Sequence, residues 1–200
     1  MPADPGATRL EPSPLPGGAI LLRLVSPDGW NRLTVDLLRA IAAQSQAHPH
    51  ARAFVLTGGE QAFSAGADLN AIAALSPSAA WFLARAGQQA LNAIANSPAP
   101  FIAAIDGYCL GGGLDLALAC RYRLATPRAY LGHHGAKLGL VTGWAGTQRL
   151  PPLLGPARTL AHLLPAQGWS ASDALAEGLI SALAPPETLL ARAAQAPAPR

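Results

Sequence analysis

The chain has 200 residues, half of them hydrophobic and 12% charged, with a formal net charge of +3. That is enough apolar material for one domain with a sizeable core, and too much for a disordered chain. Lys137 is the only lysine and the arginines are scattered from Arg9 to Arg200 without a basic run, so no nucleic-acid partner is expected. The two cysteines, Cys109 and Cys120, have neither CxxC nor metal-ligand spacing and read as buried packing thiols in a reducing compartment. The first residues lack an apolar signal core and no apolar run is long enough to cross a bilayer. A cytoplasmic protein with no membrane partner and no metal is therefore expected.

Residues 1–18 are rich in proline and glycine and are expected to form a loose arm ahead of a domain spanning 19–195. A strand is expected over 19–25, then a helix over 35–47 with Thr34 as its N-cap. Residues 52–57 read as a buried strand and 62–68 as a loop of small residues. The alanine-rich run 79–94 predicts a long helix, stopped by Ser97-Pro98-Ala99-Pro100. Residues 101–105 are strand-like, 107–113 form a glycine-rich junction, and 114–120 are helix-like. Short strands are expected at 121–125 and 129–132, and helices at 147–153 and 157–164. A last helix runs over 170–177, capped by Ser170 and closed by Gly178. The alternation of strand and helix predicts an α/β domain.

The junction Gly107-Tyr108-Cys109-Leu110-Gly111-Gly112-Gly113-Leu114-Asp115 carries the chemistry. Three glycines between a strand and a helix strip away side chains where the helix begins. Backbone N–H groups at the positive end of the helix dipole are then free to face an anion or a developing oxyanion. A tight turn with a capping aspartate would give the same pattern, so a second segment is needed. It is supplied by 58–69, which follows a buried strand and ends in Ser64-Ala65-Gly66-Ala67-Asp68-Leu69 ahead of a helical pattern. Two backbone donors aimed at one carbonyl oxygen make an oxyanion hole, each donor worth about 3–4 kcal/mol to catalysis.

Four segments in order, VLTGGEQAFSAGADL (55–69), PFIAAIDGYCLGGGLDLALAC (100–120), GLVTGWAGTQRLPPLLG (139–155) and SASDALAEGLISALAPPETLL (170–190), resemble the crotonase superfamily, that is, the enoyl-CoA hydratase/isomerase family. The resemblance implies a spiral of ββα units, with the family's C-terminal helical module short or absent here. It implies an acyl-CoA substrate, no further cofactor, and a homo-oligomer, a trimer or hexamer, with contacts from the 140–190 region. The oxyanion donors would be the N–H groups of Ala67 and Gly112. Ser64, Ala65, Gly66, Ala67, Asp68, Leu69 and Asn70 would border the CoA and acyl groove, with Gly111, Gly112 and Trp144 near the acyl group. Asp68 also reads as a residue that holds its loop, and Trp144 as simple packing beside glycines.

The family's hydratases use two glutamates as acid and base. The first falls on Asp115, a residue type that dienoyl-CoA isomerases of the superfamily also carry there. The second falls on Gly135, which cannot transfer a proton. Dihydroxynaphthoyl-CoA synthases likewise have glycine at that position, with an aspartate where this chain has Thr142. His133 and His134 precede the gap and are candidates to replace the missing acid or base, although either would also suit a core, subunit-facing or solvent position. The basic residue expected before Asn31 to meet CoA phosphates is absent, with Asp28 about where a lysine would stand and Arg23 and Arg32 as unplaced substitutes. The expected activity is hydratase or isomerase chemistry through a thioester enolate. The alternatives are C–C hydrolysis or decarboxylation with His and Asp, or acyl-CoA binding without catalysis.

Overall fold

The computed structural model describes residues 6–196, so the first five residues of the expected arm lie outside the described residues. Within that arm the expectation is corrected for 9–15. These residues form an edge strand, β1 (Arg9–Leu15), antiparallel to β2 (Ala19–Val25), with Leu15 opposite Ala19. Pro12 and Pro14 are two residues apart and so share a side, which lets both missing N–H groups fall on the open edge of the sheet. Gly17 and Gly18 turn the chain between the strands with φ of 76°, a conformation that costs a glycine little.

The helix α1 (Val35–Ala47) starts where expected, with Thr34 Oγ1 accepting from Leu37 N at 3.1 Å. Then come β3 (Ala53–Thr57), β4 (Ala62–Ser64), α2 (Leu69–Ala73) and α3 (Pro77–Ala95). They lead into β5 (Phe101–Ile105), β6 (Tyr108–Leu110), α4 (Gly112–Ala119), β7 (Tyr122–Ala125) and β8 (Tyr130–Gly132). The helix expected over 147–153 is broken into α5 (Gly146–Arg149) and α6 (Pro151–Leu154), because Pro151 starts a new first turn. Beyond Gly155, at φ 81°, lie α7 (Pro156–Leu163), β9 (Trp169–Ser170), α8 (Ala171–Ala176), β10 (Ala182–Leu183) and α9 (Pro186–Ala194).

Two sheets result, in the order β1-β2-β3-β5-β7-β10 and β4-β6-β8-β9. From β3 to β8 consecutive strands alternate between them: β3, β5 and β7 run in the large sheet, and each is followed by a partner, β4, β6 or β8, in the small one. The pairings β2–β3, β3–β5 and β5–β7 are parallel. Strands β3 and β5 are buried throughout, which is why they read as unbroken apolar runs rather than alternating ones. Phe54, Leu56, Phe101, Ala103 and Ile105 point into the main core with α1, α3 and α4. Val55, Ile102 and Ala104 point the other way, where Leu189 and Ala193 of α9 close a second cluster. The strand-to-helix step from β6 into α4 and the β4-to-α2 loop meet at one end of the small sheet, and there the site is built.

Candidate active site

The helix α4 begins at Gly112, two residues earlier than expected, so the Gly112 N–H lies in the first turn, where no intrahelical acceptor exists. Gly66 makes the approach of the second segment possible. It has φ 83°, and a Cβ there would fall 2.6 Å from Gly112 N and 2.8 Å from the Leu110 carbonyl oxygen. Any larger residue would push the two segments apart. The next donor, Ala67 N, lies 3.5 Å from where a Gly112 Cβ would stand. The backbone nitrogens of Ala67 and Gly112 are thus neighbours although 45 positions separate them in the sequence.

Asp115 sits on the first turn of α4 and is 2% exposed. Thr142 Oγ1 donates to its carboxylate, at 2.8 Å from Oδ1 and 2.7 Å from Oδ2. Burial raises the carboxyl pKa to about 7. The Thr142 hydroxyl, the Arg149 charge and the N–H groups of Trp144 and Gly146 favour the anion and limit the rise. Near neutral pH this group can both take and give a proton.

His133 is also buried, and its Nε2 comes within 3.4 Å of Asp115 Oδ1. That nitrogen makes no hydrogen bond in this geometry. Burial, with the neighbouring His134 as a lesser cause, lowers the His133 pKa to about 4. The contact is therefore a neutral imidazole against a carboxyl group, not an ion pair. Gly146 keeps room for it: a Cβ there would stand 2.6 Å from Asp115 Oδ1 and 2.8 Å from His133 Nε2.

Trp144 is buried between α3 and the start of α4. Its Nε1–H donates to the Leu83 carbonyl oxygen at 3.3 Å. A Cβ on Gly87 would meet the indole at 2.1 Å, and one on Gly112 would meet it at 2.6 Å. A glycine inside α3 costs about 1 kcal/mol of helix propensity relative to alanine. The indole explains why one is needed there.

Other expected residues are placed elsewhere. His134 stacks on Tyr130, with ring centroids 5.8 Å apart, and its Nε2 lies 3.5 Å from the Tyr130 hydroxyl; no contact joins it to Asp115. Gly135 opens a short turn over Gly135–Leu138, and the space beside it is bounded by the oxygen and Cβ of Leu140. Ser64 is fully buried, its hydroxyl donating to Asn31 O and accepting from Gly66 N, so it braces the loop from within. Asp68 caps α2 by accepting from Asn70 N and Ala71 N, the loop-holding role. Leu69 and Asn70 are exposed beyond it.

The cations are engaged too. Arg32 pairs with Asp28 and lies 3.9 Å from Asp68, while Arg23 donates to Gly58 O. The Arg32 hydrogen bond, with help from Trp30 N and Ser26, holds the Asp28 carboxyl down at about 2. An open cleft of about 460 Å³ lined by Glu60, Gln61, Gly107, Tyr108, Arg128 and Tyr130 shares no residue with the Asp115 cluster, and its arginine is paired to Asp106.

The sequence did not show that Thr142 bonds both oxygens of Asp115, or that Gly87 seats Trp144. Both are tertiary contacts, across 27 and 57 positions. The one available signal was a glycine in the middle of a helical pattern. Among the described residues no group of three or more His, Cys, Asp or Glu side chains is arranged to hold a metal, and no helix is long and apolar enough to cross a membrane.

Strands that alternate between two sheets, with a glycine-rich helix start facing a second backbone donor, make up the crotonase fold. The chain belongs to the enoyl-CoA hydratase/isomerase family, whose model matches residues 18–198. It is similar to the enoyl-CoA hydratase of Bacillus anthracis, with 31% identity and a TM-score of 0.86 over 93% of this chain and 74% of that one. It is similar to DspI of Pseudomonas aeruginosa, with 32% identity and a TM-score of 0.85 over 92% of this chain and 71% of that one. A third likeness is to the enoyl-CoA hydratase of Thermoplasma volcanium, at 28% identity and a TM-score of 0.84, covering 94% and 75% of the two chains.

Proposed function

We propose that this protein is an enzyme that processes an acyl-CoA thioester through an enolate, with Asp115 as its proton-transfer group. The observation that carries the reading is the juxtaposition of two backbone donors, Ala67 N and Gly112 N, with a buried carboxyl whose pKa lies at about 7. The thioester oxygen accepts from both N–H groups, which stabilise charge as it moves onto that oxygen without reorganising. Asp115 takes the α-proton as carboxylate and returns it as acid. Thr142 fixes the direction of its lone pairs.

Gly135 removes the second carboxylate from the hydratase route and also from that of the monofunctional enoyl-CoA isomerases, so the reaction proposed is a proton shift carried by Asp115 alone. A proton shift along an enoyl chain needs one group that takes a proton at one carbon and returns it at another. Hydration also needs a group to activate water, and Gly135 supplies none. His133, held at about 4, is a weak base at neutral pH. Its 3.4 Å approach to Asp115 supports a second reading, C–C hydrolysis of a 3-oxoacyl-CoA or decarboxylation of a thioester that carries a free carboxylate on its α-carbon. A homo-oligomer is part of the proposal, supported by the exposure of Leu138, Val141, Leu160 and Leu164.

Asp115→Asn tests the reading. Turnover with a panel of 2-enoyl-, 3-enoyl- and dienoyl-CoA esters should fall about 10²–10⁴-fold, while affinity for the same esters stays within about threefold. Wild-type protein that turns over none of the panel but cleaves a 3-oxoacyl-CoA selects the second reading. Protein that binds acyl-CoA and transforms nothing would be a binder.

A further inference from the structure

Backbone from two helices crowds the indole of Trp144, Gly87 of α3 at its pyrrole ring and Gly112 of α4 at its benzo ring. The segment that carries it is fastened to the same long helix. Gln88 Nε2 donates to Gly143 O at 2.8 Å, and an Arg149 guanidinium nitrogen donates to Asn92 Oδ1 at 2.7 Å. Ala145, next in the chain, adopts φ 84°, a left-handed conformation unfavourable for a residue with a Cβ. Swinging the ring away would break the bond to Leu83 and leave a void between two helices. The ring position is built, not incidental.

That position matters because Gly112 is also an oxyanion donor. A thioester oxygen bonded to Ala67 N and Gly112 N has its α-carbon two bonds away, next to the indole edge that lies over Gly112. The geometry points to Trp144 as the residue that sets acyl size. Its ring fills the volume between Gly112 and α3 into which a long chain would extend, so the site takes thioesters of short acyl groups and turns away long linear ones. This inference rests on the acyl-CoA reading above and adds the substrate class to it.

Binding tests it, so that a loss of catalysis decides nothing. Dissociation constants for butyryl-CoA and decanoyl-CoA, both saturated and inert to enoyl chemistry, are measured by calorimetry on wild type, Trp144→Phe and Trp144→Ala. Each protein is first checked for a cooperative thermal melt. Wild type should prefer butyryl-CoA by about tenfold or more. Trp144→Ala should tighten decanoyl-CoA by about tenfold with little change for butyryl-CoA, and Trp144→Phe should fall between. If Trp144→Ala does not fold, a shift of about threefold in Trp144→Phe is the expected result. An unchanged butyryl-to-decanoyl ratio in the folded variants overturns the inference and leaves the acyl-CoA reading standing. Wild type that binds neither ester overturns both.

Discussion

Asp115 and His133 titrate in opposite senses, and their effects on stability oppose. The folded state raises the Asp115 pKa from 3.8 to about 7, so its contribution is fully present below 3.8 and is lost as pH rises through 7. His133 is lowered from 6.5 to about 4, so its contribution is present above 6.5 and is lost as pH falls through 4. Between these limits the two slopes offset each other in the wild type. Denaturant titrations at pH 4.5 and 7 should show Asp115→Asn losing stability toward the acid end and His133→Gln losing it toward the neutral end; equal pH slopes in the two variants would contradict the assignment. For activity, kcat/KM governed by Asp115 as base should rise with pH through about 7. Thr142→Val removes a hydrogen bond that favours the anion, so the midpoint should move up. A midpoint that stays put would mean that Thr142 does not act on the titrating group.

At the scale of elements, the contact between α3 and α4 depends on residues that are not there. Gly87→Ala improves the helix propensity of α3 by about 1 kcal/mol. It also places a methyl 2.1 Å from the indole nitrogen, and overpacking of that kind costs about 1–3 kcal/mol. The clash should win, because the obstacle is a ring already hydrogen-bonded to Leu83. A melting temperature that rises in this variant would show that the ring moves freely. Thr34→Ala gives the opposite control. It removes the bond to Leu37 N without any clash, and should cost about 1 kcal/mol in a denaturant titration.

For the whole molecule, exposed apolar residues occur on α2 and α3 (Leu69, Trp81, Phe82) and again over 138–164. Leu138 is 59% exposed, Val141 79%, Leu160 54% and Leu164 72%. Helices from this region are expected at subunit contacts. Light scattering should return a multiple of 20.4 kDa, a trimer or hexamer. Leu164→Lys should lower the mass toward that of one chain. A monodisperse wild-type monomer at micromolar concentration would rule out the assembly.

What the sequence determined by itself is local. The Thr34 and Ser170 caps and the buried runs of β3 and β5 are written within a few residues of where they act, and the structure has each of them; the helix at the glycine run is there too, but starts within the glycines at Gly112. The order of four such segments also sufficed to place the chain in its family. Residues 9–15 read as a loose arm because prolines discourage strands, and only pairing with β2 at a sheet edge made a strand of them. The two-residue strands β9 and β10 are too short to carry a period. His133 and His134 are adjacent and alike in sequence, yet the backbone sends the first to Asp115 and the second to Tyr130. Nothing in a linear pattern separates them. Thr142 became a partner of Asp115, and Trp144 a neighbour of Gly112, because a loop after β8 folds back over the start of α4. Burial raised the Asp115 pKa to about 7, and burial belongs to the tertiary structure because it depends on every element packed around the residue.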